Sequence, residues 1–231
     1  MGLAAELGAA VGCLTAFRHP AAAASRESLA GGLAFYPAVG LGLGAAAAAI
    51  AGGVAVGMPA AAGPAGILVL VAASGACGAR GVAALSERLG ASRAVGVGLA
   101  VTVVIARAAG SAFLPAPART TALLLAPMLG AWGIVVECYG GAPPAGRGIA
   151  TALVGRARFR EFGWASVIAL GVTLDAGEPI GLVVVLAASL TTVGARVFAY
   201  RRFGGIGADA LGATRELVET AVVAALALLA A

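Results

Sequence analysis

The sequence predicts an all-α fold, a polytopic transmembrane helical bundle of about seven membrane spans in one domain covering residues 1–231. Three observations carry that prediction. The first is composition: 61% of residues are hydrophobic and only 11% charged, where a soluble domain carries about 25% charged residues. The second is a series of long apolar runs separated by prolines and glycines. The third is the placement of arginine, which alternates along the chain as a membrane topology requires.

The elements follow in order. Residues 3–17 are apolar but short for a span. They read as a buried or interfacial helix ending at Arg18-His19-Pro20, without the basic start and cleavage site of a removed signal peptide. Ser25 is placed to cap a following helix, with Ser28 three residues on. Seven spans then fall at roughly 31–57, 65–79, 94–114, 121–138, 161–174, 180–198 and 210–231. Pro59 and Pro64, Pro115 and Pro117, Pro143 and Pro144, and Pro179 punctuate the connections. Gly40 and Gly44, one turn apart, give the first span a small-residue packing face.

The chain has no lysine, and all 15 basic residues are arginines. Loops on one side hold Arg18 and Arg26, then Arg80, Arg88 and Arg93, then Arg147, Arg156, Arg158 and Arg160, then Arg201 and Arg202. Loops on the other side hold Arg119 alone. Arg107, Arg196 and Arg215 fall within or at the ends of spans. Such a bias puts the arginine-rich side in the cytoplasm. It also accounts for the pI near 9.9 without nucleic acid, which is not an expected partner; the expected surroundings are the lipid bilayer. Cys13, Cys77 and Cys138 are isolated from one another and read as small apolar residues rather than metal ligands or a disulfide.

Two stretches have chemical content. Gly155-Arg156-Ala157-Arg158-Phe159-Arg160 follows a glycine-rich loop with Arg147; it suits phosphate oxygens, and equally an inward-facing loop near anionic lipid. The second is Gly204-Gly205-Ile206-Gly207-Ala208-Asp209, which opens the last apolar helix. Asp209 is placed to cap that helix or to hold Mg2+ against a phosphate. Capping does not explain Glu216 and Glu219 further along. Intramembrane carboxylates are costly, and mark either an ion pair with Arg215 or a site facing a polar cavity.

Together these pieces resemble the cobalamin synthase family, the adenosylcobinamide-GDP ribazoletransferases, in order along nearly the full chain. Phe17-Arg18-His19-Pro20 stands at the family's Thr-Arg-x-Pro-like opening. Tyr36-Pro37-Ala38-Val39-Gly40-Leu41 matches its Phe-Pro-Leu-Val/Ile-Gly-Leu signature. The stretch Gly204-Gly205-Ile206-Gly207-Ala208-Asp209-Ala210-Leu211-Gly212-Ala213, continuing to Glu216-Leu217-Val218-Glu219, matches its last signature at most positions. The central motif, Thr-Gly-Gly-x-His-Leu-Asp-Gly-Leu-Ala-Asp-x-x-Asp-Gly, falls on Ser74 to Arg88 and departs from it. Its histidine position holds Gly78, and its aspartate positions hold Arg80, Ala84 and Glu87.

The resemblance implies a transferase that joins α-ribazole, or its 5′-phosphate, to adenosylcobinamide-GDP and releases GMP. It implies Mg2+ held by Glu87, Asp209, Glu216 and Glu219, with Asp209 and Glu216 as catalytic residues. Arg18, Arg147, Gly204 and Gly205 would bind the substrate phosphates. The site would face the cytoplasm from the plasma or inner membrane; homo-oligomerisation is left open. The rewritten central motif supports an alternative, a catalytically inactive homologue acting as a binding or scaffold subunit. An unrelated small transporter is a third reading, less compatible with the last signature.

Overall fold

A computed structural model describes residues 2–16, 25–143, 148–175 and 180–230. Among these the chain forms eleven α-helices and no strand. They are α1 (Leu3–Leu14), α2 (Arg26–Gly32), α3 (Tyr36–Gly57), α4 (Pro59–Ala73), α5 (Cys77–Arg88) and α6 (Arg93–Ala112). They continue as α7 (Ala116–Cys138), α8 (Ile149–Leu153), α9 (Phe159–Asp175), α10 (Ile180–Phe203) and α11 (Ala208–Ala230). A 3-10 turn, Leu33–Phe35, links α2 to α3, and the Ser25 side chain caps α2 by accepting from Ser28 N at 3.1 Å.

Helix α7 is the axis of the bundle and is buried along most of its length. It packs between α3 and α11. The Gly40–Gly44 face makes the first of these contacts possible. A side chain at Gly40 would strike the Pro127 backbone, and one at Gly44 would come within 2.9 Å of the Leu124 backbone. The helices meet main chain to main chain, as small residues permit in a membrane where burial drives little association. Outward faces of α6, α9 and α10 are lined with exposed Leu, Val and Ile, which in a bilayer meet lipid.

The seven spans expected are not confirmed among the described residues. By length and composition, four stretches among the described residues are long and apolar enough to cross a membrane: Arg26–Gly57, Arg93–Ala112, Ala116–Cys138 and Ile180–Phe203. A fifth results if α4 and α5 count together. The expected span at 65–79 is not straight; α4 and α5 are bent by 73°. Gly75 and Ala76 take positive φ, +60 and +53. Their N–H groups turn back to Ala72 O at 3.0 Å and Val71 O at 2.8 Å, a helix stop of the left-handed type. Ala16 N also donates to Ala73 O at 2.7 Å, so the end of α1 holds the bend in place. Helix α9, with 17 described residues, is at the lower limit for a crossing. Helix α11 is long enough at 23 residues but carries Arg215, Glu216 and Glu219 within its apolar run.

Candidate functional site: the charged contact of α5, α6 and α11

The kink after α4 turns α5 against α11, and glycine again sets the distance. A Cβ at Gly81 would stand 2.5 Å from Ala213 N and 2.6 Å from Gly212 Cα. The rewritten central stretch and the well-matched terminal stretch are therefore in contact, backbone to backbone. A Cβ at Gly78 would stand 3.1 Å from Glu216 Cβ and collide with its carboxylate. Where the resembled family has histidine, this chain has room for the Glu216 side chain.

At the open end of the contact lies Asp209. Both carboxylate oxygens accept from Arg88 Nη1, at 2.7 and 3.0 Å. The Arg88 guanidinium also sits 4.2 Å from the centre of the Phe203 ring, a cation–π arrangement. Gly207 lies against this pair: a side chain there would meet the Asp209 carboxylate and come within 2.9 Å of Arg88 Nη1, so those side chains would have to shift. Gly204 ends α10 with φ +70, its N–H donating to Tyr200 O at 3.0 Å, and Gly205 is buried. The side chains of Glu87 and Arg80, both exposed on α5, make no ion pair or hydrogen bond among the described residues.

Deeper in the bundle the charges are sealed. Arg107 of α6 is 2% exposed, Arg215 2%, Glu216 4% and Glu219 3%. Glu219 accepts from Arg215 Nε at 2.8 Å and from Arg107 Nη1. Arg215 also donates to Leu14 O of α1 at 3.2 Å. Glu216 Oε1 lies 3.2 Å from Arg107 Nη2, within ion-pair reach but not aligned as a hydrogen bond. Two guanidiniums and two carboxylates balance, which is how such groups are tolerated in a low-dielectric interior. Gly130 of α7 makes space, since a Cβ there would lie 2.8 Å from Glu219 Cγ.

The four acids expected to hold Mg2+ are thus distributed. Glu216 and Glu219 share Arg107; Asp209 is bound to Arg88; Glu87 stands apart. Asp209 and Glu216 are separated by seven residues, roughly 10 Å along the helix. No group of three or more acidic, His or Cys residues suited to a metal occurs among the described residues. Mg2+ needs several free oxygens and a net negative charge around it, whereas Asp209, Glu216 and Glu219 each lie against a guanidinium, the buried cluster is balanced, and Glu87 is not grouped with them. The residues as arranged do not fit the ion. Arg18 and Arg147, expected to bind phosphates, lie outside the described residues.

Two buried charges were missed as site residues from the sequence. Arg107 was visible as the one basic residue of the apolar run 94–114, a signal that usually marks a partnered charge. Glu137, fully buried in α7, accepts from Thr214 Oγ1 of α11 at 2.8 Å, and its Oε2 has no partner among the described residues.

An apolar helical bundle with an arginine–carboxylate centre defines a helical membrane protein with a charged core. Its sequence matches the family model for cobalamin-5-phosphate synthase over residues 6–227, and the chain belongs to that family. No curated protein and no solved structure matches it. Membership places the chain among synthases of cobalamin biosynthesis, membrane transferases that act on cobamide intermediates.

Proposed function

We propose that this chain acts on the substrates of the ribazoletransferase reaction, joining α-ribazole or its 5′-phosphate to adenosylcobinamide-GDP with release of GMP. The observation that carries the reading is the contact of α5 with α11, which brings the two halves of the family's signature together at Gly81 and Gly212. In this chain the groups available to a substrate phosphate are guanidiniums: Arg80, exposed and with no side-chain partner among the described residues, and Arg88, 39% exposed on its side chain. Guanidinium clamps offset charge on a transferring phosphoryl group without a metal. The ribazole hydroxyl would displace GMP at the phosphorus that carries cobinamide, and Asp209 is the acid nearest the open end to orient it. By the arginine bias, this end faces the cytoplasm, where nucleotides are available.

A second reading, a binding or scaffold subunit without turnover, is favoured by one observation. Asp209, Glu216 and Glu219 are all committed to arginines. One experiment separates the two. The full chain in lipid nanodiscs is supplied with both substrates, and GMP is measured across a Mg2+ titration and in EDTA. The expected result is GMP release that persists in EDTA. Substrate binding without release establishes the scaffold reading instead. Release that strictly requires Mg2+ would overturn the arginine-based site and return the acids to metal binding.

A further inference from the structure

A second charged site lies away from the α5–α11 contact. A cleft of about 490 Å3 opens between the start of α1, α2 and the start of α9. Arg26, Arg156, Arg158 and Arg160 line it, with Glu6, Glu27 and Glu161. We propose that this cleft binds a phosphate-bearing anion through Arg26, Arg156 and Arg158.

The acids in the cleft do not neutralise its cations evenly. Arg160 takes up two of them, with Nη2 2.8 Å from Glu161 Oε1 and 3.7 Å from Glu6 Oε1. The other Glu161 oxygen accepts from the Arg158 backbone N–H at 2.8 Å, so that carboxylate caps α9 and leaves the Arg158 guanidinium alone. Among the described residues, the guanidiniums of Arg26 and Arg158 make no hydrogen bond or ion pair. Arg156 has a single long contact, Nε to Thr151 O at 3.4 Å. Three guanidiniums thus face one unpaired carboxylate, Glu27.

The loop that presents them is fixed before any ligand arrives. Gly155, at φ +75, donates to Cys138 O at 2.8 Å, and a Cβ on it would lie 2.6 Å from Gly141 O. Ala157 is buried and forms a parallel bridge with Tyr139, whose ring stacks on Phe162 at 4.5 Å. With Ala157 pinned inward, the exposed residues on either side, Arg156 and Arg158, are both directed outward. A loop serving only as a topology signal needs charge and no such constraint. Guanidiniums converging from α2 and from this loop suit a planar, multi-oxygen anion.

The inference stands whether or not the chain releases GMP. The anion's source is either a free phosphate compound or a lipid headgroup, and the test separates them. The full chain is placed in neutral phosphatidylcholine nanodiscs and titrated with inorganic pyrophosphate by calorimetry. In parallel, phosphatidylglycerol retention is followed by native mass spectrometry. Arg26→Gln, Arg158→Gln and Arg158→Lys are compared with Arg202→Gln, an exposed arginine outside the cleft. Removing one charge-assisted contact is expected to weaken binding by about tenfold, with Arg158→Lys retaining part of it and Arg202→Gln unchanged. Loss of pyrophosphate binding identifies a soluble phosphate ligand; loss of phosphatidylglycerol alone identifies a headgroup. If neither ligand distinguishes the cleft variants from Arg202→Gln, the proposal is overturned.

Discussion

Arg107 and Arg158 carry the same guanidinium and meet opposite surroundings. Arg107 is 2% exposed, with Glu216 and Glu219 against it. Arg158 is exposed, and the carboxylate beside it is turned to its own backbone N–H instead. In the interior, a charge without a partner costs several kcal/mol, so the α6–α11 cluster balances itself. At the end of the bundle water does that work, and cations need no partner. The difference teaches where a ligand has a place. A balanced, buried cluster has no charge to offer a substrate; a fixed, unbalanced rim does.

The sharpest way to break this comparison is Arg107→Met. Glu219 would keep Arg215 while Glu216 would lose its ion pair, and breaking a buried pair on one side costs about 3–5 kcal/mol. Unfolding of the detergent-solubilised protein measures it. Adding Glu216→Gln to the same chain should recover part of the loss, because the surplus negative charge disappears. A loss below about 1 kcal/mol would mean that Arg107 behaves as a surface charge and that the contrast with Arg158 is false. Next in size is Gly81→Ala. Its Cβ would meet the α11 backbone, not a movable side chain, so α5 and α11 must separate, at about 1–3 kcal/mol. Gly42→Ala, inside α3 with nothing within 4 Å of the added Cβ, is the matched control and should not lower stability, with a gain of up to about 1 kcal/mol from helix propensity.

Much of this architecture was legible in the sequence because small residues leave a plain trace. Gly40 and Gly44 announced a close helix contact, and the structure places α7 against them. The helical class followed from composition. The bend at Gly75-Ala76 was not legible, because Ala76 takes a left-handed conformation that an alanine does not advertise. The expected spans at α9 and α11 are not confirmed, because α9 is at the lower limit of length and α11 carries Arg215, Glu216 and Glu219 within its apolar run. The terminal acids were visible, but their partners were not. Arg107 precedes Glu219 by 112 residues, and no local pattern reports a pairing at that distance. Sequence order suggested acids waiting for a cation; the fold supplies cations from its own side chains.

The Arg88–Asp209 pair falls between the two extremes, with side-chain exposures of 39% and 12%. Asp209→Asn should therefore cost about 1 kcal/mol or less, read in the same unfolding assay, and the cost should shrink further in high salt. The Phe203 ring would still hold Arg88, which limits the damage.

Arg158→Gln should show the smallest effect on stability, within about 0.5 kcal/mol. No described residue depends on its guanidinium, and the cap on α9 uses its backbone N–H, which glutamine also has. The variant thus separates two quantities that move together at Arg107. If the rim is kept for a ligand, anion binding falls while the unfolding curve stays in place. If unfolding shifts by as much as in Asp209→Asn, Arg158 contributes to the fold after all, and the distinction between a self-neutralised core and a ligand-facing rim loses its clearest example.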